Sequence, residues 1–265
     1  MQQIEPFFRE AGAGPGLICI HANASSCAQW RMLMDLLSPR FHVFASDSYG
    51  AGRSPEWPSD REIRLGDEVA LLEPIFARAG SPVTLVGHSY GAAVALVAAI
   101  SKPERVRALA LYEPTLFSVL NAETPATNDS DGIRHAVASA SDALDAGDPD
   151  VAARHFIDYW MGSGSWEQTP EQRKPAMRDS VTKVRRWAHA LFTEPTPLAA
   201  FRSLDIPVLY MVGKRSTLSA HGVARLLTAA LPRVLVVEFE SLGHMGPVTH
   251  PEVVNEAIAR FLQRV

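Results

Sequence analysis

The chain has 265 residues, of which 47% are hydrophobic and 20% are charged, so it can bury a sizeable core and is not of the disordered class. The 25 Lys and Arg residues against 29 Asp and Glu residues give a formal net charge of -4, which argues against a nucleic-acid surface. The first residues lack the features of a secretory signal, and the longest apolar stretch, 92–100, is far shorter than the roughly 20 residues that span a membrane. We therefore expect a cytoplasmic protein without a nucleic-acid or membrane partner.

The two cysteines, Cys19 and Cys27, do not suggest a disulfide framework. Cys19 alternates within an apolar run, which is typical of a small core residue, and packing is also the simpler interpretation of Cys27. The sequence has no metal-binding spacing such as C-x-x-C or H-E-x-x-H. We expect neither a metal nor a cofactor, and the oligomeric state cannot be read from the sequence.

Short β-rich runs alternate with longer helical patterns, which predicts a mostly parallel sheet with helices on both faces. The predicted strands are 17–22, 42–46, 83–88, 106–112, 207–212 and 233–239, with a weaker leading strand near 7–9. The predicted helices outside the middle of the chain are 26–37, 64–79, 91–101, 219–230 and 252–263.

This alternation stops after Pro114. Residues 121–131 are rich in Asn, Asp, Thr and Ser, as loops are, and 132–190 has a helical pattern without a strand candidate. We predict a helical cap, 115–203, inserted between core segments 1–114 and 204–265, where it would cover the carboxyl ends of the strands. The alternative is an ordinary run of surface helices. Aromatic residues of this segment are candidates for a pocket lining or for simple core packing: Phe156, Tyr159, Trp160, Trp166 and Trp187.

The most informative motif is Gly87-His88-Ser89-Tyr90-Gly91. It follows an apolar, β-branched run and precedes a helical one, which is the strand–turn–helix context in which G-x-S-x-G indicates a nucleophilic serine. The tight turn would hold the Ser89 hydroxyl out at the end of the strand, and the helix N-terminus behind it favours developing negative charge. Without that context the motif is more often a plain loop.

Three further segments extend the similarity. Residues 17–23 resemble the strand and His-Gly turn of α/β-hydrolases, 44–54 resemble their D-x-x-G-x-G-x-S loop, and 242–247 resemble their terminal Gly-His segment. The four segments follow the family order, so the chain is similar to this superfamily from about residue 16 to its end. The resemblance implies an α/β-hydrolase fold, a mostly parallel sheet with an inserted helical cap. It says little about the substrate.

A serine hydroxyl needs a base and a group that orients the base. His244 is the expected base, because it follows the last predicted strand in a Gly-His segment and the family order is Ser, acid, His. His21 and His88 are expected to be packed or hydrogen-bonded.

The acid departs from the common family pattern. The loop 213–219 contains no carboxylate, and Ser216 stands where Asp is expected. Some haloalkane dehalogenases instead carry the acid after the preceding core strand, which here ends in Glu113. We therefore predict Glu113 as the triad acid, with pairing to an arginine such as Arg53 as the structural alternative. Asp47 and Asp205 rank behind it.

By their positions in the family pattern, the backbone N–H groups of Asn23 and Tyr90 are the expected oxyanion-hole donors. The similarity to dehalogenases stops at the nucleophile, which is Asp there and Ser here, so we reject dehalogenation. The predicted function is that of a serine hydrolase acting on an ester or lactone of a small molecule, carboxylesterase-like. The alternatives are a hydrolase that cleaves a carbon–carbon bond of a diketone, and a receptor that binds a small molecule without turnover.

Overall fold

The computed structural model describes residues 4–123 and 125–265. The first three residues of the predicted core segment 1–114 and Thr124 of the predicted cap lie outside the described residues. The strands form one seven-stranded sheet in the order β1-β3-β2-β4-β5-β6-β7, in which β1 is antiparallel to β3 and all other pairs are parallel. The strands are β1 Phe8–Ala11, β2 Gly16–Ile20, β3 His42–Ser46, β4 Val83–His88, β5 Val106–Tyr112, β6 Val208–Gly213 and β7 Val234–Phe239.

Twelve α-helices surround this sheet in the described part of the chain. They are α1 Arg31–Leu37, α2 Leu65–Leu71, α3 Glu73–Ala79, α4 Tyr90–Ser101, α5 Asp131–Asp145, α6 Pro149–Met161, α7 Ser165–Gln168, α8 Lys174–Val181, α9 Val184–Phe192, α10 Leu218–Ala230, α11 Gly246–Thr249 and α12 Pro251–Leu262. Short 3₁₀ helices cover Cys27–Trp30, Pro103–Arg105, Phe117–Ala122 and Leu198–Ser203. No helix among the described residues has both the length and the apolar character to cross a membrane.

The predicted α/β architecture, a mostly parallel sheet with helices, is confirmed. The predicted helix 64–79 is instead two helices that meet at Leu72. Pro74 explains the break, because a proline has no N–H to donate to the preceding turn and can occupy only the first turn of a new helix. The predicted helix 26–37 likewise begins as a 3₁₀ helix before α1.

The middle of the sheet is the core of the molecule. Strands β2, β4 and β6 are buried along their whole length, as is typical of parallel strands covered on both faces. Helix α4 packs beside them with its first ten residues buried, which suits its run of alanine and valine. The nucleophile candidate therefore lies between two of the most deeply packed elements of the fold.

Between β5 and β6, the described residues 115–123 and 125–203 contain helices and loops and no strand. Helices α5 to α9 of this segment have an apolar cluster of their own, which includes Ala152, Phe156, Trp166 and Val184. The segment also contacts the core through ion pairs, for example Lys183 Nζ to Glu56 Oε1 at 2.8 Å. We propose that it forms the cap, with the boundaries 115–203.

A buried carboxyl group connects α2 to the nucleophile turn. Glu68 is 4% exposed. It accepts hydrogen bonds from the Tyr90 hydroxyl at 3.1 Å and from the Tyr49 N–H at 3.2 Å. Burial raises the pKa of Glu68 to about 7, against the smaller lowering effect of these two hydrogen bonds.

This raised pKa makes the folding stability depend on pH. Between the ordinary pKa of 4.5 and about 7, the native protein binds a proton that the unfolded chain releases, so stability falls as pH rises through this window. Glu68→Gln removes the titration. Its amide oxygen can accept from the Tyr49 N–H, and its amide NH2 can donate to the Tyr90 hydroxyl oxygen. Between pH 5.5 and pH 8.5, we expect the unfolding free energy of the wild type to fall by about 2 kcal/mol relative to that of Glu68→Gln.

Urea unfolding at several pH values measures this difference. Glu62→Gln, which changes an exposed glutamate near α2, serves as the control and should track the wild type. Parallel pH curves for the wild type and Glu68→Gln would contradict the assignment of the raised pKa to Glu68.

Candidate active site

Ser89 occupies the sharp turn between β4 and α4. Its backbone has φ 55° and ψ -116°, a conformation that is rare for a residue with a side chain. Glycines on both sides permit the turn: a Cβ on Gly91 would lie 2.3 Å from the Ile20 carbonyl oxygen, and one on Gly87 would lie 2.5 Å from the Ala92 Cα. The turn thus brings α4 directly against β2 and leaves the Ser89 side chain at the end of the strand.

The His244 ring lies next to Ser89. The distance from His244 Nε2 to Ser89 Oγ is 3.0 Å, within hydrogen-bond range. Two hydrogen bonds to the backbone hold the loop that carries this ring: His88 Nε2 donates to the His244 carbonyl at 2.8 Å, and the Tyr112 hydroxyl donates to the Gly243 carbonyl at 2.8 Å. The base candidate is therefore positioned by the residues at the ends of β4 and β5.

Glu113 contacts the other nitrogen of the same ring. Its Oε2 lies 2.7 Å from His244 Nδ1, and its side chain is fully buried. Its second oxygen accepts hydrogen bonds from the Gly213 N–H at 2.7 Å and from the Ser216 hydroxyl at 2.6 Å. The structure brings Ser89, His244 and Glu113 together in one chain of hydrogen bonds.

The other acid candidates lie elsewhere. Asp47 accepts hydrogen bonds from the N–H groups of Cys27 and Arg53 at 2.6 and 2.9 Å and so organises its own loop. Asp205 has an 82% exposed side chain and lies 3.7 Å from Arg233. The Arg53 guanidinium stacks on the Phe7 ring, 4.1 Å from its centroid, so the alternative pairing of Glu113 with Arg53 is not what the structure shows.

Both structural histidines are neutral by their environment. Burial lowers the pKa of His88 well below its usual value, and it also lowers that of His21. His88 Nδ1 faces the Gln29 side-chain nitrogen at 3.1 Å, and His21 Nε2 accepts from the Ser48 N–H at 3.1 Å. Both rings are thus buried and held by hydrogen bonds.

The two predicted oxyanion-hole residues, Tyr90 and Asn23, lie in different elements: Tyr90 begins α4 and Asn23 lies in the loop after β2. Tyr90 is the first residue of α4, so its N–H belongs to the helix-terminal donors that have no acceptor within the helix. Its side chain points inward to Glu68. Asn23 follows β2 and lines the same cavity as Ser89, next to Ala24, whose φ is 54°.

A cavity begins at Ser89 and His244 and continues beneath the helices of the 115–203 segment. Apart from His244, no described residue of its lining has an ionisable side chain, and most of its surface is aliphatic or aromatic. Of the aromatic residues singled out in the sequence, Phe156, Trp160 and Trp187 line it, whereas Trp166 is buried in the helices. Its polar side chains are Asn23, Ser89, Thr115 and His244.

Two contacts of this site were not predicted from the sequence. Ser216, which stands where an Asp was expected, holds the carboxylate of Glu113 through its hydroxyl. The Trp160 indole stacks on the His244 imidazole, with ring centroids 3.9 Å apart and an interplanar angle of 24°. The missing carboxylate in 213–219 was a signal for the first contact. No local pattern signals the second, because the two residues are 84 positions apart and meet only in the folded protein.

The fold and the site can be compared with known proteins. A family model described as the alpha/beta hydrolase fold matches residues 15–251. The (E)-2-((N-methylformamido)methylene)succinate hydrolase of Acinetobacter baylyi is 24% identical over 257 residues, which are 96% of this chain and 92% of that protein. The pimeloyl-[acyl-carrier protein] methyl ester esterase of Aliivibrio salmonicida is 27% identical over 267 residues, covering 97% of this chain and 95% of that protein.

A solved structure agrees with these relatives. The crystal structure of an alpha/beta hydrolase from Sphaerobacter thermophilus superposes with a TM-score of 0.74 at 25% identity, and the match covers 97% of this chain and 96% of that one. The related proteins are hydrolases, and the family model spans most of the sequence. This chain therefore belongs to the α/β-hydrolase fold family.

Proposed function

We propose that this protein is a serine hydrolase that cleaves a small-molecule ester or lactone through an acyl-enzyme on Ser89. The observation that carries the proposal is the uninterrupted chain of hydrogen bonds from Ser89 through His244 to Glu113, with distances of 3.0 and 2.7 Å. Each group has the type and position that its role requires: a nucleophile, a base and an acid that orients the base. The relative from Aliivibrio, an esterase by name, supports the same reaction class.

In the first step, Ser89 attacks the substrate carbonyl carbon while its proton passes to His244 Nε2. Glu113 accepts the His244 Nδ1–H, so the imidazole keeps the tautomer whose Nε2 is free to take that proton, and the carboxylate stabilises the resulting imidazolium. The carbonyl oxygen becomes an oxyanion, which the backbone N–H groups of Asn23 and Tyr90 would bind at the N-terminus of α4.

In the second step, the carbon–oxygen bond to the alcohol breaks and His244 returns its proton to the leaving oxygen. This leaves the acyl group as an ester of Ser89. A water molecule then gives a proton to His244 and attacks the acyl carbon by the same route, which releases the acid and restores the serine. The two steps need no group beyond the side chains and backbone donors described.

The lining of the cavity at Ser89 indicates what kind of acyl group the substrate carries. The described part of the chain places no lysine or arginine in this lining, so a carboxylate on the acyl chain would be buried without a partner. In this respect it does not suit a dicarboxylate like the succinate named for the Acinetobacter relative. We propose that the acyl part of the substrate is uncharged and mostly apolar.

Replacement of the nucleophile is the first test. Ser89→Ala should lower kcat for p-nitrophenyl butanoate by several orders of magnitude, on the order of the ~10⁶ found for loss of a triad serine. Ser101→Ala, at the other end of α4, is the matched control and should keep the wild-type rate. Retention of more than about a tenth of the rate by Ser89→Ala would rule out this nucleophile.

The same comparison distinguishes the other candidate functions. Cleavage of diketones but not of esters, lost in Ser89→Ala, would favour carbon–carbon hydrolysis. Binding of small molecules without turnover of either class would favour a receptor.

The position of the acid is the second test. Glu113→Gln keeps the shape of the side chain but removes the charge, and we expect a loss in kcat that approaches ~10⁴ because the wrong tautomer of His244 is favoured. Glu113→Ala combined with Ser216→Asp should recover part of the rate over Glu113→Ala alone, because the Ser216 hydroxyl already lies 2.6 Å from the Glu113 carboxylate.

Asp205→Asn is the control for this test, since Asp205 was the other, lower-ranked acid candidate in this half of the chain and its side chain is exposed. Circular dichroism and thermal unfolding check that the variants remain folded. Full activity of a folded Glu113→Gln protein would contradict the assignment of Glu113 as the acid.

The apolar cavity leads to a third test. p-Nitrophenyl butanoate and mono-p-nitrophenyl succinate share a leaving group and differ by the terminal carboxylate. We expect kcat/KM to be about 100-fold lower for the succinate, because burial of an unpaired charge costs several kcal/mol. p-Nitrophenyl pentanoate controls for chain length. Equal values for the succinate and the butanoate would show that the acyl chain does not occupy this cavity.

A further inference from the structure

A second cavity also borders His244. It is bordered by the loop after β6, the loop of His244 and the end of α6. The lining residues that bear on the inference are Tyr159, Trp160, Met161, Arg215, His244 and Met245. Four of these also line the first cavity: Trp160, Met161, His244 and Met245. The two cavities therefore meet at the base candidate.

Trp160 forms much of the shared wall. Its indole stacks on the His244 ring and is packed edge-on by the Tyr159 ring at 4.9 Å between centroids. Ser89 borders the first cavity, and the surface of the second is formed by more polar groups. The reacting carbonyl thus has an apolar chamber on one side and a polar one on the other.

The proton transfers of the proposed function assign a part of the substrate to each chamber. The leaving oxygen must come within about 3 Å of His244 Nε2 to take its proton, so the alcohol part lies towards the ring and the wall that it shares with the second cavity. The acyl part then points into the apolar cavity. A longer alcohol would extend towards the second cavity, whose lining shares Met161 and Met245 with the first.

The two chambers differ in charge. Among the described residues that line the two cavities, Arg215 of the second is the one with a permanent charge. No carboxylate of residues 4–123 and 125–265 lies within 4.0 Å of the Arg215 guanidinium. The adjacent Lys214, in contrast, pairs with Glu240 at 2.5 Å. Arg215 is thus an exposed cation without an ion-pair partner in the described part of the chain, and it lines the second cavity.

From this arrangement we infer that the second cavity is the leaving-group subsite and that Arg215 selects an alcohol carrying an anionic group, a carboxylate or a phosphate. A guanidinium suits both, because its N–H groups match two oxygens at once. The inference rests on the proposed ester hydrolysis and adds the class of the alcohol: an apolar acid esterified to an anionic alcohol.

Butanoate esters of three phenols test it: phenol, 3-hydroxybenzoate and 3-(trimethylammonio)phenol. They share the acyl group and differ in the charge of the leaving group. We expect the wild type to prefer the carboxyphenyl ester over the phenyl ester by about fivefold in kcat/KM, as suits a partly exposed ion pair, and to disfavour the ammonio ester. In Arg215→Gln the carboxyphenyl-to-phenyl ratio should fall towards one.

Lys214→Gln is the matched control, because it removes the neighbouring positive charge outside the cavity lining. It should keep the wild-type ratio. Equal loss of the ratio in both variants would mean general electrostatic attraction, and absence of the preference in the wild type would overturn the role of Arg215.

A binding measurement separates this inference from the proposed function. In the Ser89→Ala protein, 3-hydroxybenzoate should cause a saturable shift of the Trp160 indole N–H resonance, assigned by comparison with Trp160→Phe. The additional change Arg215→Gln should abolish the shift, and Lys214→Gln should not. If esters are not cleaved but this binding holds, the hydrolase proposal fails and the anion subsite stands; if esters are cleaved and the shift is absent or independent of Arg215, the subsite is wrong.

Discussion

The carboxylate of Glu113 is fully buried, and a buried charge must be compensated by hydrogen bonds or ion pairs. Three donors do this: the Gly213 N–H, the Ser216 hydroxyl and the His244 ring. They come from the last residue of β6, from the loop after β6 and from the loop after β7, so a single side chain at the end of β5 ties three adjacent strand ends together. The orientation of the His244 ring, and through it the hydrogen bond to Ser89, depends on this cluster of contacts.

The backbone around the site is strained, and the strain is local. Among the described residues, three that are not glycine have positive φ: Ala24 at 54°, Ser89 at 55° and Glu113 at 44°. Each follows one of three neighbouring buried strands, and such conformations cost of order 1–3 kcal/mol each. The packing of β2, β4 and β5 against α4 can support that cost, because these elements have almost no exposed residues. The rigid sheet thus holds the side chains in place before a substrate arrives.

Much of this arrangement could be predicted from the sequence, because its signals are local. The strand bounds agree with the hydrophobic runs to within about two residues, the weaker leading strand included. The turn of Ser89 and the Gly-His segment of His244 are short motifs with a clear context. The carboxylate-free loop 213–219 was a signal for the contact of Ser216 with Glu113. The contact of Trp160 with His244 could not be derived, since it depends on how distant segments pack. The break at Leu72 could have been inferred from Pro74, because proline interrupts a helix in a known way.

The central claim is that Ser89 is an activated nucleophile because His244 is held by Glu113. Covalent labelling by a fluorophosphonate tests it most directly, since the reaction needs no knowledge of the natural substrate. The rate of labelling, with the modified peptide identified by mass spectrometry, is compared for the wild type and Glu113→Gln. We predict that Ser89 alone is modified in the wild type and that the labelling rate falls by orders of magnitude in Glu113→Gln. An unlabelled wild-type protein, or equal rates in both proteins, would contradict it.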